Sequence, residues 1–280
     1  MANYNRPILS KEEIELFSRI NRHGFVDMQY IYRFYKTSCN KKTVEGRIQQ
    51  LAKHKYLSVI NTFTPPEWTS NNRCAYKIIT LGIAGQDVLR ELGSEVVDYG
   101  KTLRTKSPYR MYHQVQVSTV TEVIASAYND PQKSKFTVFR ILSEKEIMSG
   151  DQRTELRNMP DALILMRNRN KPGLFALFIE VERSYASMEH LQHKIKGYEK
   201  RIAENQYVRH LHLPIIHTRI LFVSQTDSQF DVLREKLKKL DYMDQTKILL
   251  CKYQDICNHP LNEIYLNLKQ DHYMKLMQKM

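Results

Sequence analysis

An aspartate opens one apolar run of this chain and two glutamates close the next. The first run reads Pro160-Asp161-Ala-Leu-Ile-Leu-Met166. A basic turn leads into Leu174-Phe-Ala-Leu-Phe-Ile-Glu180-Val-Glu182-Arg183, and a helical stretch with Lys194 and Tyr198 follows. Proline cannot donate to a ladder and suits the start of a strand, so Asp161 is held near one end of a sheet. Glu180 and Glu182 share a parity and face the same way, with Ile179 and Val181 on the opposite, buried side. Two like charges so placed repel unless a cation or a base sits between them. If the three carboxylates converge they form a set of hard oxygen ligands suited to Mg²⁺, with Mn²⁺ as an alternative. Such a site beside a phosphodiester is the usual setting for its cleavage. The competing reading is a pair of exposed glutamates held by arginines such as Arg183.

The composition suits that chemistry. Lysine and arginine outnumber the acids by 43 to 30, a formal charge of +13 over 280 residues, which favours a polyanionic partner over none. A merely soluble basic surface is the alternative. No basic amphipathic helix with a bulky apolar face argues for a membrane surface. Cys39, Cys74, Cys251 and Cys257 are scattered without a CxxC pair, which fits a reduced compartment better than a disulfide framework or a zinc site. With no bilayer-length apolar run and no signal-peptide pattern at the start, the expected location is the cytoplasm.

Residues 8–95 read as a helical unit with a hairpin. Ser10 and Glu13 have capping-box spacing ahead of Ile14, Leu16, Phe17 and Ile20, and Gly24 ends that helix. Further helices are predicted over Asp27–Phe34 and Lys41–His54, then strands Tyr56–Phe63 and Ala75–Thr80, then a helix Ile83–Leu92. Three helices followed by a β-hairpin is the order of a winged helix-turn-helix. Its third helix would enter the major groove of double-stranded DNA with Asn40, Lys41, Lys42 and Thr43 leading and Arg47 one turn later. Cations at a helix N-terminus oppose the helix dipole, so their placement asks for an external reason. Ordinary solvated lysines, or a protein partner, are the alternatives. Arg73 at the hairpin tip would reach a minor groove or a phosphate.

A basic linker is expected over 96–111. From 112 to 257 helices and strands alternate: helix Gln114–Tyr128, strands Phe136–Leu142, Ala162–Met166 and Leu174–Glu182, helix Met188–Asn205, strand Arg219–Val223, helix Phe230–Leu240 and strand Lys247–Cys251. This reads as a mixed α/β domain on a central sheet flanked by helices. Residues 258–280 read as a tail or docked helix.

The run Pro-Asp, strand, Glu-x-Glu, helix resembles the PD-(D/E)XK nuclease superfamily. The resemblance implies a restriction-endonuclease-like domain in which Asp161 and Glu180 hold the metal, and Glu122, on the first core helix, is a further ligand by position. The third motif position, usually lysine, is Glu182 here. The resemblance then transfers the lysine's role to Glu182 itself or to Lys194 on the following helix, with Lys196 a lesser choice. Tyr76-Lys-Ile-Ile-Thr80-Leu-Gly82, His113-Gln-Val-Gln-Val-Ser-Thr-Val-Thr-Glu122, the two acidic motifs and Lys194-Ile-Lys-Gly-Tyr198 together resemble the replication-relaxation family, to which MobC-type relaxases of mobilisable plasmids are similar. That resemblance implies a bacterial protein acting at a plasmid origin, with other mobilisation or replication proteins as partners. It also implies either a metal-dependent nicking enzyme or, with the lysine replaced, an inactive DNA-binding regulator.

Tyr185 and Tyr198 stand where a relaxase tyrosine nucleophile would be worth naming, but water is the expected nucleophile and Tyr198 the expected packing residue. His210, His212 and His217 have no carboxylate companion and read as a loop before a strand. There is no GK[ST] phosphate loop and no GxSxG elbow.

Overall fold

Ser10 and Glu13 form the capping box that their spacing predicts. The Ser10 N–H donates to Glu13 Oε2 at 2.8 Å and the Glu13 N–H to Ser10 Oγ at 3.3 Å, starting α1 (Lys11–His23). Gly24, at φ 84°, ends it, where a side chain would be strained. A two-residue strand β1 (Val26–Asp27) precedes α2 (Met28–Phe34), whose first turn is capped by Asp27 accepting from the Tyr30 N–H at 2.7 Å. Then come α3 (Lys41–Lys53), the antiparallel strands β2 (Leu57–Phe63) and β3 (Ala75–Leu81), and α4 (Ile83–Glu91). The strands lie in the order β1-β3-β2. Leu16, Phe17 and Ile20 of α1, Ile31 of α2 and Val44, Ile48 and Leu51 of α3 share one core with Leu57 and Ile79.

The computed structural model describes residues 7–63, 75–96, 107–148, 160–182, 186–203, 215–240 and 247–278. They belong to two units, Met1–Ser118 and Thr119–Met280. The hairpin tip with Arg73 lies outside the described residues, as do Arg183, Tyr185, His210 and His212. The helix expected from Gln114 begins earlier, as α5 (Pro108–Asn129), so the last residues assigned to the linker are helical. Pro108 suits that first position because its missing N–H has no intrahelical partner there.

The second unit continues with β4 (Phe136–Ser143), the short α6 (Glu144–Met148), β5 (Ala162–Asn168), β6 (Leu174–Glu182), α7 (Met188–Ala203), β7 (Ile215–Ser224), α8 (Asp227–Lys238), β8 (Ile248–Lys252), α9 (Tyr253–Asn258), β9 (Tyr265–Asn267) and β10 (His272–Met274). One sheet runs in the order β10-β9-β8-β7-β6-β5-β4. β6, β7 and β8 are parallel; the pairings outside them are antiparallel. The chain is therefore a mixed α and β protein with one large mixed sheet. On one sheet face Leu163, Leu165, Phe178 and Phe222 pack with Leu191, Ile195 and Tyr198 of α7 and with Phe230, Leu233 and Leu237 of α8. Ile164, Leu177 and Ile179, of opposite parity, are equally buried. A strand covered on both faces is expected where parallel pairing places helices on each side.

The C-terminal segment departs from the tail or helix expected of it. Residues 265–274 form a hairpin that extends the sheet. Its strands are too short for alternation to register, and local polar bonds make the turn. The Asp271 N–H donates to the Asn267 carbonyl at 2.8 Å, Asn267 Oδ1 accepts from Lys269 N–H at 3.0 Å, and Asp271 takes a φ of 50°. Arg219 of β7, 4% exposed, then fastens the segment beyond, donating to the carbonyls of Leu276 and Gln278.

Candidate functional site

The register of β5 on β6 places Asp161 beside Glu180. Ala162 pairs with Ile179, so the residue before it meets the residue after. The Asp161 N–H donates to the Ile179 carbonyl at 3.1 Å, and Asp161 Oδ2 accepts from the Val181 N–H at 2.7 Å. One main-chain bond and one from the main chain to the Asp161 carboxylate thus bracket Glu180 and hold the aspartate against the end of the ladder. Strand parity puts Glu180 and Glu182 on the sheet face that α7 covers, since Phe178 lies in the core shared with that helix.

These acids are not exposed. Every residue of β6 is buried, Glu180 completely and Glu182 to 9% exposure. Their neighbours come from α7, where Lys194 and Tyr198 stand one turn apart on the inner face. Lys194 Nζ lies 2.7 Å from Glu180 Oε2 and 3.1 Å from Glu182 Oε1. The Tyr198 hydroxyl donates to Glu180 Oε1. Tyr198 itself is fully buried, with its ring 5.3 Å from that of Phe178. Lys196, on the same helix, is exposed.

Burial pushes the Glu180 carboxyl up to about 8. The Lys194 ammonium opposes the shift and the Asp161 charge adds to it. For Lys194, burial works against the charged form. Glu180, Glu182 and Asp161 outweigh it and hold the amine well above its ordinary range. Among the described residues, Asp161, Glu180 and Glu182 share the Lys194 ammonium in one coupled system. Carboxylates gathered so closely favour retention of a proton or the approach of a cation.

Among the described residues no three acids, histidines or cysteines are grouped to hold a metal ion, so Asp161, Glu180 and Glu122 do not form a ready triad. Glu122, on α5, is 3% exposed. Mg²⁺, however, is commonly held by one or two carboxylates together with water and substrate phosphate. Glu180 Oε2 fits that mode. It is buried, adjoins Asp161, and has the Lys194 ammonium 2.7 Å away as its counter-charge. Ser224 Oγ is a buried oxygen without a hydrogen-bond partner among the described residues, and Ser224 pairs with Glu182 in the parallel ladder. The carboxyl ends of adjacent parallel strands, where these groups gather, are a common place for ligands in α/β sheets. Sequence reasoning missed Ser224. The available signal was a polar residue closing the apolar run Ile220-Leu-Phe-Val, just as Glu182 closes its own.

In the first unit, α3 leaves Asn40, Lys41, Lys42 and Thr43 exposed. Asn40 serves the helix itself as N-cap, its Oδ1 accepting from the Thr43 N–H at 2.9 Å and from the Thr43 hydroxyl at 3.0 Å. Lys41 Nζ lies 5.1 Å from the Tyr32 ring centre. Arg47 differs from its expected role as a DNA contact. Its guanidinium donates to Glu13 at 2.6 and 2.9 Å, to Gln50 at 2.6 Å and to the Ile8 carbonyl at 2.8 Å, so its donors are committed within the unit. Glu13 is fully buried, and an unpaired carboxylate there would be costly, which explains the recruitment of Arg47. His217 lies within β7, not in a loop.

Among the described residues no helix is long and apolar enough to cross a membrane. No curated protein sequence matches the chain. A solved structure of the restriction endonuclease FokI bound to DNA is similar at a TM-score of 0.25 and 10% identity, over 88% of this chain and 43% of that one. This chain thus spans less than half of that structure's length. The sequence model described as replication-relaxation matches residues 17–212, most of the polypeptide. The chain belongs to the replication-relaxation family.

Proposed function

We propose that this protein processes DNA at a plasmid origin, with the first unit acting as a winged helix that selects the site and the second as a PD-(D/E)XK-type nicking domain. The observation that carries the reading is Lys194. A cation delivered from α7 to both Glu180 and Glu182 supplies, from the helix, the positive group that the third motif position lacks. Asp161 and Glu180 are the residues that would hold Mg²⁺ or Mn²⁺. The ion would supply Lewis-acid stabilisation to a scissile phosphodiester when bound.

The chain's own groups then divide the work. Because its amine is held well above the ordinary range, Lys194 stays an ammonium. It therefore offsets charge developing on the phosphate rather than acting as a base, and the leaving oxygen takes its proton from solvent. Glu182, the more exposed of the two glutamates, is the group placed to orient and accept a proton from attacking water. The Tyr198 hydroxyl is spent on Glu180 in the interior, which supports water over this tyrosine as nucleophile.

The test is incubation of purified protein with supercoiled plasmid carrying its cognate origin and Mg²⁺. Wild type is expected to yield open circles. Asp161→Ala should yield none, and Lys194→Gln should slow the reaction while leaving origin binding intact. A second reading, an inactive origin-binding regulator of plasmid replication or mobilisation, is favoured by the complete burial of Glu180. Tight, salt-sensitive origin binding with no metal-dependent nicking would establish it and sink the first.

A further inference from the structure

The end of the sheet opposite the carboxylates carries a groove of about 620 Å³ lined by Phe139, Arg167, Arg169, Lys171 and the adjoining turn. Three features set it apart. Its charge is of one sign: no acid is among its described lining residues, and Asp130, beside the supporting Asn129, is paired with Lys133. Phe139 is 46% exposed, and the Arg167 guanidinium lies 6.0 Å from its ring centre. The third feature is the backbone. The ladder between β4 and β5 is irregular between Val138 and Arg140, so Phe139 is the extra residue of a bulge on the outermost strand. Bulges at sheet edges re-aim side chains and end pairing. Here Asn129 Oδ1 supports the irregularity, accepting from the Val138 N–H at 2.8 Å and the Thr137 hydroxyl at 2.9 Å. Arg169 is positioned by donating to the Asn129 carbonyl at 3.1 Å.

A large apolar ring offered to solvent among cations is poorly explained by folding, because it buries little and its charged neighbours repel. It suits a ligand that brings negative charge and a flat unsaturated face together. We propose that this groove binds single-stranded nucleic acid, an unpaired base stacking on Phe139 while Arg167, Arg169 and Lys171 contact the flanking phosphates. Stacking on aromatic side chains beside a basic track is how sequence-tolerant single-strand binding works. Arg167 is six residues on from Asp161, roughly 20 Å at about 3.3 Å per residue, so the groove and the carboxylates lie at opposite ends of β5. The inference rests on reading the second unit as a nucleic-acid-processing domain, and it names the form of nucleic acid held there.

The experiment is fluorescence anisotropy of a labelled 20-nucleotide oligothymidine with the full chain, across a salt series. Phe139→Ala should weaken binding by about five- to a hundredfold, the range for loss of one stacked base, with the salt slope unchanged. In Arg167→Gln/Lys171→Gln the slope of log affinity against log salt should fall by about 1.4, near 0.7 for each lost phosphate contact. These residues are exposed, so their variants should keep the wild-type circular dichroism and melting temperature. Wild-type affinity in both variants would overturn the inference, as would an equal loss on a blunt duplex in Phe139→Ala. If wild type fails to nick plasmid yet the groove variants lose oligonucleotide affinity, the nicking reading fails and the groove stands.

Discussion

Replacing Arg47 with alanine should damage the first unit's stability, and the structure sets the scale. Glu13 is fully buried and receives two hydrogen bonds from Arg47, one from the Tyr35 hydroxyl at 2.8 Å and one from the Ser10 N–H. Burial alone would raise its pKa. The hydrogen bonds from Arg47, Ser10 and Tyr35 win and bring it down from 4.5 to about 2. At about 1.4 kcal/mol per pH unit that difference stabilises the folded unit by roughly 3 kcal/mol at neutral pH. Removing one partner of a buried pair costs about 3–5 kcal/mol, in agreement. Because the folded pKa is depressed, this stability is present above pH 4.5 and is lost as pH falls through 2. Wild type should therefore weaken across that window. Arg47→Ala, which starts lower, should weaken much less. Hydrogen exchange of peptides from α1 and α3, followed across urea and pH, isolates this unit from the second. Glu13→Gln/Arg47→Met should recover most of the loss, since no unpaired charge is then buried. Exchange in Arg47→Ala within 1 kcal/mol of wild type, a threshold set well below the cost of a broken buried pair, would refute the brace. A loss of DNA affinity without a loss of stability would restore Arg47 as a contact.

Glu180→Gln tests the coupled carboxylates of the candidate site. With its folded pKa raised to about 8 by burial, Glu180 contributes stability that is fully present below pH 4.5 and lost as pH rises through 8. In urea melts without divalent cations, the glutamine variant should lack that alkaline decline; an unchanged decline would place it elsewhere. Arg219→Met should leave the Leu276 and Gln278 carbonyls without their donor, at roughly 1–3 kcal/mol for each buried one. Faster exchange confined to residues 272–278 is the expected signature, and protection equal to wild type would contradict it. Gly46 lies within α3 with open space around its missing side chain. Gly46→Ala should stabilise the helix by about 0.5–1 kcal/mol, and a lower melting temperature would show that the space is not empty.

Local patterns carried much of this. The Ser10–Glu13 box, the helix stripes of the first unit and the parity of Glu180 with Glu182 depend on bonds within a few residues and on the periods of helix and strand. Each was legible in the sequence and recurs in the structure. Lys194 was legible as a candidate by its position, but not its simultaneous contact with both glutamates. Residues 265–274 were not legible, because three-residue strands have almost no pattern and owe their existence to the neighbouring β8.

The sequence by itself determined where the acids fall: at the start of one strand and the end of the next, on a face set by the two-residue period. Tertiary structure decided what surrounds them. The central place of β6 buries Glu180 completely, antiparallel register sets Asp161 at its side, and the packing of α7 adds Lys194 and Tyr198. The same holds for Arg47, whose partner Glu13 is 34 residues away. Charge compensation inside a protein depends on which groups leave water together, and that is settled by contacts between distant segments rather than by spacing along the chain.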